Sequence, residues 1–211
     1  LAVIQIVVAA MGGSGALGED VGTVARSYPT PVLPAGWTFG IWGVIYLAFL
    51  GYAVYQLLPT QRTRAVHRAT GWWLAVSAVL NMAWVATFSA RYVLLAEVLL
   101  LALLGVLARV YGRLSRERAA NTPERLALRL PVALYTGWVS LAVVAGTAAT
   151  GVRLGLPGDG ALAEIAAVLI LLVAAAIVAS VITYATAVVG YAVAAVWALV
   201  GIALNAPPAA V

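Results

Sequence analysis

The sequence predicts an all-α fold, a polytopic transmembrane helical bundle, and three observations carry that reading. Of its 211 residues, 64% are hydrophobic and 9% charged, whereas a soluble domain carries about 25% charged residues. Such a chain cannot cover a surface that faces water on all sides. Several runs reach the roughly 20 apolar residues that cross a bilayer core. The basic residues gather in the segments between those runs.

Reading apolar runs against Gly, Pro and charged breakers gives seven candidate spans. The first is a stub over residues 1–12, LAVIQIVVAAM and one glycine, too short to cross a bilayer. It is expected to be the end of a helix that begins before Leu1, with a cleaved signal peptide as the alternative. A Gly- and Pro-rich loop follows, GGSGALGEDVGTVARSYPTPVLPAG. The second span runs from Trp37 to Leu58 and is closed by Pro59. The third covers about 70–89 and the fourth about 92–112, joined by a connection short enough to force an antiparallel hairpin. The fifth covers about 130–150, after which TGVRLGLPGDG reads as a loop. From Ala161 to Leu204 the chain is apolar for long enough to cross twice, with the break placed near Ser180 to Tyr184. The tail NAPPAAV stops abruptly, so a further helix beyond Val211 is left open. Residues 1–150 thus form a five-helix unit, and 151–211 a C-terminal pair of spans.

All twelve basic residues are Arg. The 59–70 segment holds Arg62, Arg64 and Arg68, and the 109–129 segment holds Arg109, Arg113, Arg116, Arg118, Arg125 and Arg129. The opposite side has only Arg26, Arg91 and Arg153. The positive-inside rule makes the two basic segments cytoplasmic. By parity the N-terminus is cytoplasmic and the long loop before Trp37 lies outside, as expected in a bacterial inner membrane. This orientation accounts for the net charge of +5 without nucleic acid as a partner.

Several chemistries lack their residues. With no Cys there is no disulfide, thiolate nucleophile or Cys-ligated metal, and with no Lys there is no Schiff base. The one histidine, His67, falls in a basic cytoplasmic loop, so no span offers His as an axial ligand to a tetrapyrrole. Gly12-Gly13-Ser14-Gly15 is not followed by the Lys of a phosphate-binding loop. No metal cluster or hydrolytic triad is visible, and the reading is of a protein that is not an enzyme.

Polar groups within a span are costly and mark either packing or function. Asn81 is the clearest, in WWLAVSAVLNMAWVATF, and helical spacing puts Ser77, Asn81, Trp84 and Phe88 on one face. Tyr135, Trp138 and Ala142 align in the fifth span, with Gly137 and Ser140 nearby, and Trp42, Tyr46 and Phe49 form a stripe in the second. Three aromatic stripes could converge on a flat apolar ligand, with Asn81 and tyrosine hydroxyls orienting it. Equally, small and polar residues could simply hold helices together. Trp72 and Trp73 read as an interface belt. Glu97 reads as a partner of Arg91 near the outer interface, with a proton-relay carboxylate as the alternative. Glu164 suits the start of a helix.

At these residues the chain resembles the TspO/MBR family, the tryptophan-rich sensory proteins that include the mitochondrial translocator protein. PAGWTFGIWGVIYLAFLGYAVYQ is similar to the family's Pro-rich approach to its second helix, approximately PPxWxFxPVWxxLYxxMG. LNMAWVATF resembles the Asn-x-x-Trp of the third helix, and LPVALYTGWVSLAVVAG the Tyr-x-x-Trp-Val of the fifth. The resemblance covers about residues 1–150. It departs where FGIW stands for FGPVW, and where Gly146 stands for the family's usual Asn. Beyond Gly151 it fits a larger branch with extra C-terminal helices and a stretch like Trp197 to Ala203.

The resemblance implies a bundle with a pocket under the loop between the first two helices, where family members bind porphyrins and, in some cases, sterols or synthetic ligands. Carried over by motif, the ligand-binding candidates are Trp37, Phe39, Trp42, Tyr46, Asn81, Trp84, Tyr135, Trp138 and Ala142. The expected ligand is a non-covalently bound tetrapyrrole, or a carotenoid or sterol-like lipid. Residues 37–46 would line and cover the pocket, while Tyr52 and Tyr55 would anchor the cytoplasmic interface. The competing expectation is a non-catalytic accessory subunit of a larger membrane complex, docked through its last two helices. A homodimer is compatible with either.

Overall fold

The computed structural model describes residues 1–185 and 188–205, apart from the side chains of Ile182 and Tyr184. Among these residues every regular element is helical: α1 (Ala2–Gly13), α2 (Val21–Arg26), a 3-10 turn (Gly36–Gly40) running into α3 (Ile41–Leu57), α4 (Ala65–Ser89), α5 (Val93–Ser115), the short α6 (Thr122–Glu124), a π-helical segment (Arg125–Arg129), α7 (Leu130–Arg153), α8 (Gly160–Tyr184) and α9 (Val188–Asn205). Six helices among the described residues are long and apolar enough to cross a membrane, with Ala2–Gly13 shorter. The protein is therefore an integral membrane protein, in which backbone polar groups are satisfied within each helix.

Boundaries moved where polar residues continue a helix. The expected loop before the third span is helical from Ala65, so His67 lies in the first turn of α4, not in a loop. It is buried, with Nδ1 3.2 Å from the Tyr52 hydroxyl and Nε2 3.4 Å from Gln61 Oε1. Tyr52 and Tyr55 are buried against it instead of anchoring at the membrane interface. The expected 109–129 loop shrinks likewise, because α5 reaches Ser115 and helix resumes at Thr122 under the Asn121 cap, whose Oδ1 accepts from Glu124 N at 2.9 Å.

A buried charge cluster holds that end together. Glu124 Oε1 accepts from Arg129 Nε and Nη2 at 2.9 and 2.8 Å, and Oε2 accepts from Arg64 Nη2 at 2.8 Å. Arg129 also donates to the Leu114, Glu117 and Arg118 carbonyls, capping the C-terminal end of α5. Trp72 is exposed, as a belt residue would be, while Trp73 carries the Arg109 guanidinium 4.7 Å from its ring centroid.

The chain break in the last apolar stretch lies after Tyr184, just beyond its expected place. The two C-terminal helices differ sharply. α9 packs closely on α7 and places Ala194, Ala195 and Ala198 in the same core as Trp42, Trp84 and Trp138. Glycines permit that approach: a Cβ on Gly137 would lie 2.6 Å from the Tyr191 carbonyl oxygen, and one on Gly190 would lie 2.7 Å from that of Leu130. α8 instead leaves Leu162, Ile165, Leu169, Leu172 and Val173 exposed, a face suited to lipid.

Opposite the charge cluster, the α4–α5 hairpin turns through Arg91 in the left-handed region at φ 63. The loop after α1 is tied to this turn, since Glu19 N donates to the Ser89 carbonyl at 2.9 Å and Glu19 pairs with Arg91 through two 2.6 Å hydrogen bonds. Gly18, at φ 142, makes the close approach possible, because a Cβ there would sit 2.4 Å from Ser89 O. Arg91 therefore pairs with Glu19, not with Glu97 as the sequence suggested.

Candidate functional site: an aromatic cleft beneath the first loop

The tied-down loop crosses over an apolar cleft between α3, α4, α5, α7 and α9. Ala25, Leu33 and Pro34 form its roof, Phe39 and Trp42 come from the start of the second span, and Trp84 and Phe88 from α4. Trp138, Ala142 and Gly146 line it from α7, Glu97 and Leu100 from α5, and Ala198 and Ile202 from α9. Its open space is narrow, about 60 Å³ for a water-sized body.

The rings are arranged by helical spacing on three elements. Trp42 is the hub: its ring centroid lies 5.4 Å from that of Trp84, 6.1 Å from Trp138 and 5.7 Å from Tyr135. Phe39 meets Trp138 edge-on at 6.2 Å, and Trp84 stacks on Phe88 at 5.7 Å. Such edge-on and offset pairs stabilise each contact by roughly 0.5–1.5 kcal/mol beyond area burial. The indole N–H groups of Trp42 and Trp138 are buried and bond to nothing among the described residues. A buried donor without a partner costs about 1–3 kcal/mol.

The nine residues carried over from the family motifs divide by position. Phe39, Trp42, Trp84, Trp138 and Ala142 line the cleft. Tyr46, Asn81 and Tyr135 lie behind it in the packed interior. There Asn81 Oδ1 accepts from Tyr46 OH at 3.0 Å and from Gln5 Nε2 at 2.9 Å, joining α1, α3 and α4. Trp37 is half-exposed outside the cleft, with its ring centroid 4.8 Å from that of Trp197, edge to face. Of the nine, five therefore line the cleft, three lie in the interior behind it and Trp37 lies outside.

Matching the whole chain against family models decides the lineage, because the model of the TSPO-like protein family matches residues 1–210. The chain belongs to the TSPO-like protein family. No curated protein and no solved structure matches it. In this TSPO-like chain the match takes in the C-terminal helices as well as the five-helix part.

One of those helices, α9, supplies lining that the motifs did not indicate. α9 closes the side of the TSPO-like cleft with Ala198 and Ile202 and holds the roof by three hydrogen bonds. Ala35 N donates to Gly201 O at 3.0 Å, Trp197 Nε1 to Thr38 O at 2.9 Å and Asn205 Nδ2 to Leu33 O at 3.0 Å. Glu97, which the sequence offers as a partner of Arg91 or as a relay carboxylate and not as a pocket residue, is a further lining residue. It lies on the cleft wall opposite Gly146, the position where the chain departs from the family's usual Asn.

Proposed function

We propose that this protein is a membrane receptor or binding protein, not an enzyme, for a flat hydrophobic ligand held in the aromatic cleft. The observation that carries the reading is the convergence of Phe39, Trp42, Trp84 and Trp138 on one apolar space, with two indole N–H groups left without partners. A ligand site combines mostly apolar walls with a few placed polar groups, and this cleft has that composition.

A tetrapyrrole, a carotenoid and a sterol-like lipid all satisfy the flat apolar requirement. A tetrapyrrole would be held by stacking and shape alone, because His67 sits among Tyr52, Tyr55 and Gln61, outside the cleft. With about 60 Å³ of open space, any of these ligands requires the roof or α9 to move outward. The hydrogen bonds from α9 to Leu33, Ala35 and Thr38 are the contacts that would have to give. We place the protein in a bacterial inner membrane with its N-terminus and the Arg-rich end cytoplasmic, so the cleft opens toward the outer side.

The test is gentle purification from the native membrane, followed by absorption and mass spectra of what accompanies the chain. A stoichiometric flat apolar molecule without protein partners supports a receptor. Fixed co-purifying subunits and no small molecule would instead make the chain an accessory subunit of a larger complex.

A further inference from the structure

Among the described residues that line the cleft one side chain is ionisable, and it is built into the wall. Glu97 is nine-tenths buried in the middle of apolar residues. Its Oε1 accepts a hydrogen bond from Thr147 Oγ1 at 2.8 Å, which fixes the carboxyl group against α7. Its Oε2 has no hydrogen-bond or ion-pair partner among the described residues, and Arg91, the nearest basic residue in sequence, is committed to Glu19. Gly146 provides the room: a Cβ there would stand 2.2 Å from Oε2. Half of this carboxyl group is thus anchored and the other half is held bare at the edge of the cavity.

A carboxyl group needed only to join α5 to α7 would be expected to use both oxygens. A buried acid in a membrane protein marks a polar pathway or a ligand contact. We propose that Glu97 is the polar anchor of the cleft, selecting ligands that carry a hydrogen-bond donor, a hydroxyl or an amine, at one end of a flat apolar body. The inference rests on the binding reading above and narrows it. The aromatic rings take the body and Glu97 Oε2 takes the donor. A ligand bearing a carboxylate at that end is disfavoured because no basic side chain among the described lining residues can pair with it.

The probes are 2-methylnaphthalene, 2-naphthylmethanol, 2-naphthylmethylamine and 2-naphthoate. Each is measured by equilibrium dialysis against the full chain in lipid nanodiscs, with empty nanodiscs subtracted. A hydrogen bond to Oε2 in an apolar wall predicts that the alcohol and the amine bind about fivefold tighter than 2-methylnaphthalene, and that 2-naphthoate binds more weakly. E97L should bring alcohol, amine and hydrocarbon to similar affinity. E97Q should remove the amine's advantage while leaving most of the alcohol's. G146A, which crowds Oε2 but keeps the acid, should reduce the advantage of both donors. Thermal unfolding of each variant checks that the bundle remains folded.

If the hydrocarbon binds and the donors gain nothing in the wild type, or keep their advantage in folded E97L and G146A, the anchor is overturned and the cleft stands. If no probe binds beyond the empty-nanodisc level, the cleft reading falls and the anchor with it.

Discussion

Trp197 Nε1 donates to the carbonyl oxygen of Thr38 at 2.9 Å, joining α9 to the turn that begins the second span. The two residues are 159 positions apart, and the contact sits beside the Trp37–Trp197 ring pair at the mouth of the cleft. α9 is therefore part of the site's wall and the fastening of its roof.

Removing that fastening should loosen the roof without unfolding the bundle. In Trp197→Phe the ring pair remains and one hydrogen bond is lost, a change of about 1 kcal/mol. Trp197→Ala loses both. Amide exchange at Ala35, whose N–H donates to Gly201 O, should accelerate roughly fivefold in the first variant and more in the second. Unchanged exchange in Trp197→Ala would mean that α9 does not hold the roof.

Asn81 should matter through its two donors more than through any ligand. Asn81→Leu leaves the Gln5 amide and the Tyr46 hydroxyl buried without their acceptor, at about 1–3 kcal/mol each. Asn81→Asp keeps an acceptor and should lose much less. Thermal unfolding in detergent checks the order; equal stability of Asn81→Leu and wild type would remove Asn81 from its structural role.

The α7–α9 interface should tolerate no side chain at its contact glycines. Gly137→Ala puts a methyl 2.6 Å from a backbone oxygen, which cannot rotate away as a side chain would. The expected result is a loss of about 1–3 kcal/mol together with faster exchange along α9. A fully stable Gly137→Ala protein with unchanged α9 protection would contradict the packing described.

Acid should release the first loop. The Arg91 hydrogen bonds hold the Glu19 carboxyl below its ordinary value, and the Thr23 hydrogen bonds do the same for Asp20. A carboxyl lowered in the folded state stabilises it above the unfolded pKa, and that contribution fades as pH falls through the folded one. Exchange at Glu19 N–H, corrected for its intrinsic pH dependence, should therefore rise on acidification below the ordinary carboxylate value of 4.5. Arg91→Gln should abolish most of that dependence, leaving the part due to Asp20.

The membrane helices were legible because runs of apolar residues have few other uses at that length. The buried face of Ser77, Asn81, Trp84 and Phe88 followed from helical spacing and is buried in the structure. The start of α4 and the helical turns at Thr122–Arg129 were not legible, because AVHRAT and TPERLALR carry charges that resemble loop composition, and the pairing of Glu124 with Arg129 and with Arg64, 60 positions away, belongs to the fold. The place of α9 could not be read because it packs through Gly and Ala, residues that leave no amphipathic signature. Glu97 and Thr147 meet across 50 positions, a contact that no local pattern in the sequence announces.

The central claim, that the aromatic cleft holds a ligand, is tested most directly by filling it. Ala142 lines the cleft on a helix, so Ala142→Phe adds a ring to the cavity with little change in helix propensity. The wild type and this variant would be purified side by side from the same membranes, and their bound small molecules quantified by mass spectrometry per mole of chain. The account predicts a flat apolar molecule bound to the wild-type chain and nearly none in a folded Ala142→Phe protein. Equal content in the two proteins would show that what the chain carries is not held in this cleft.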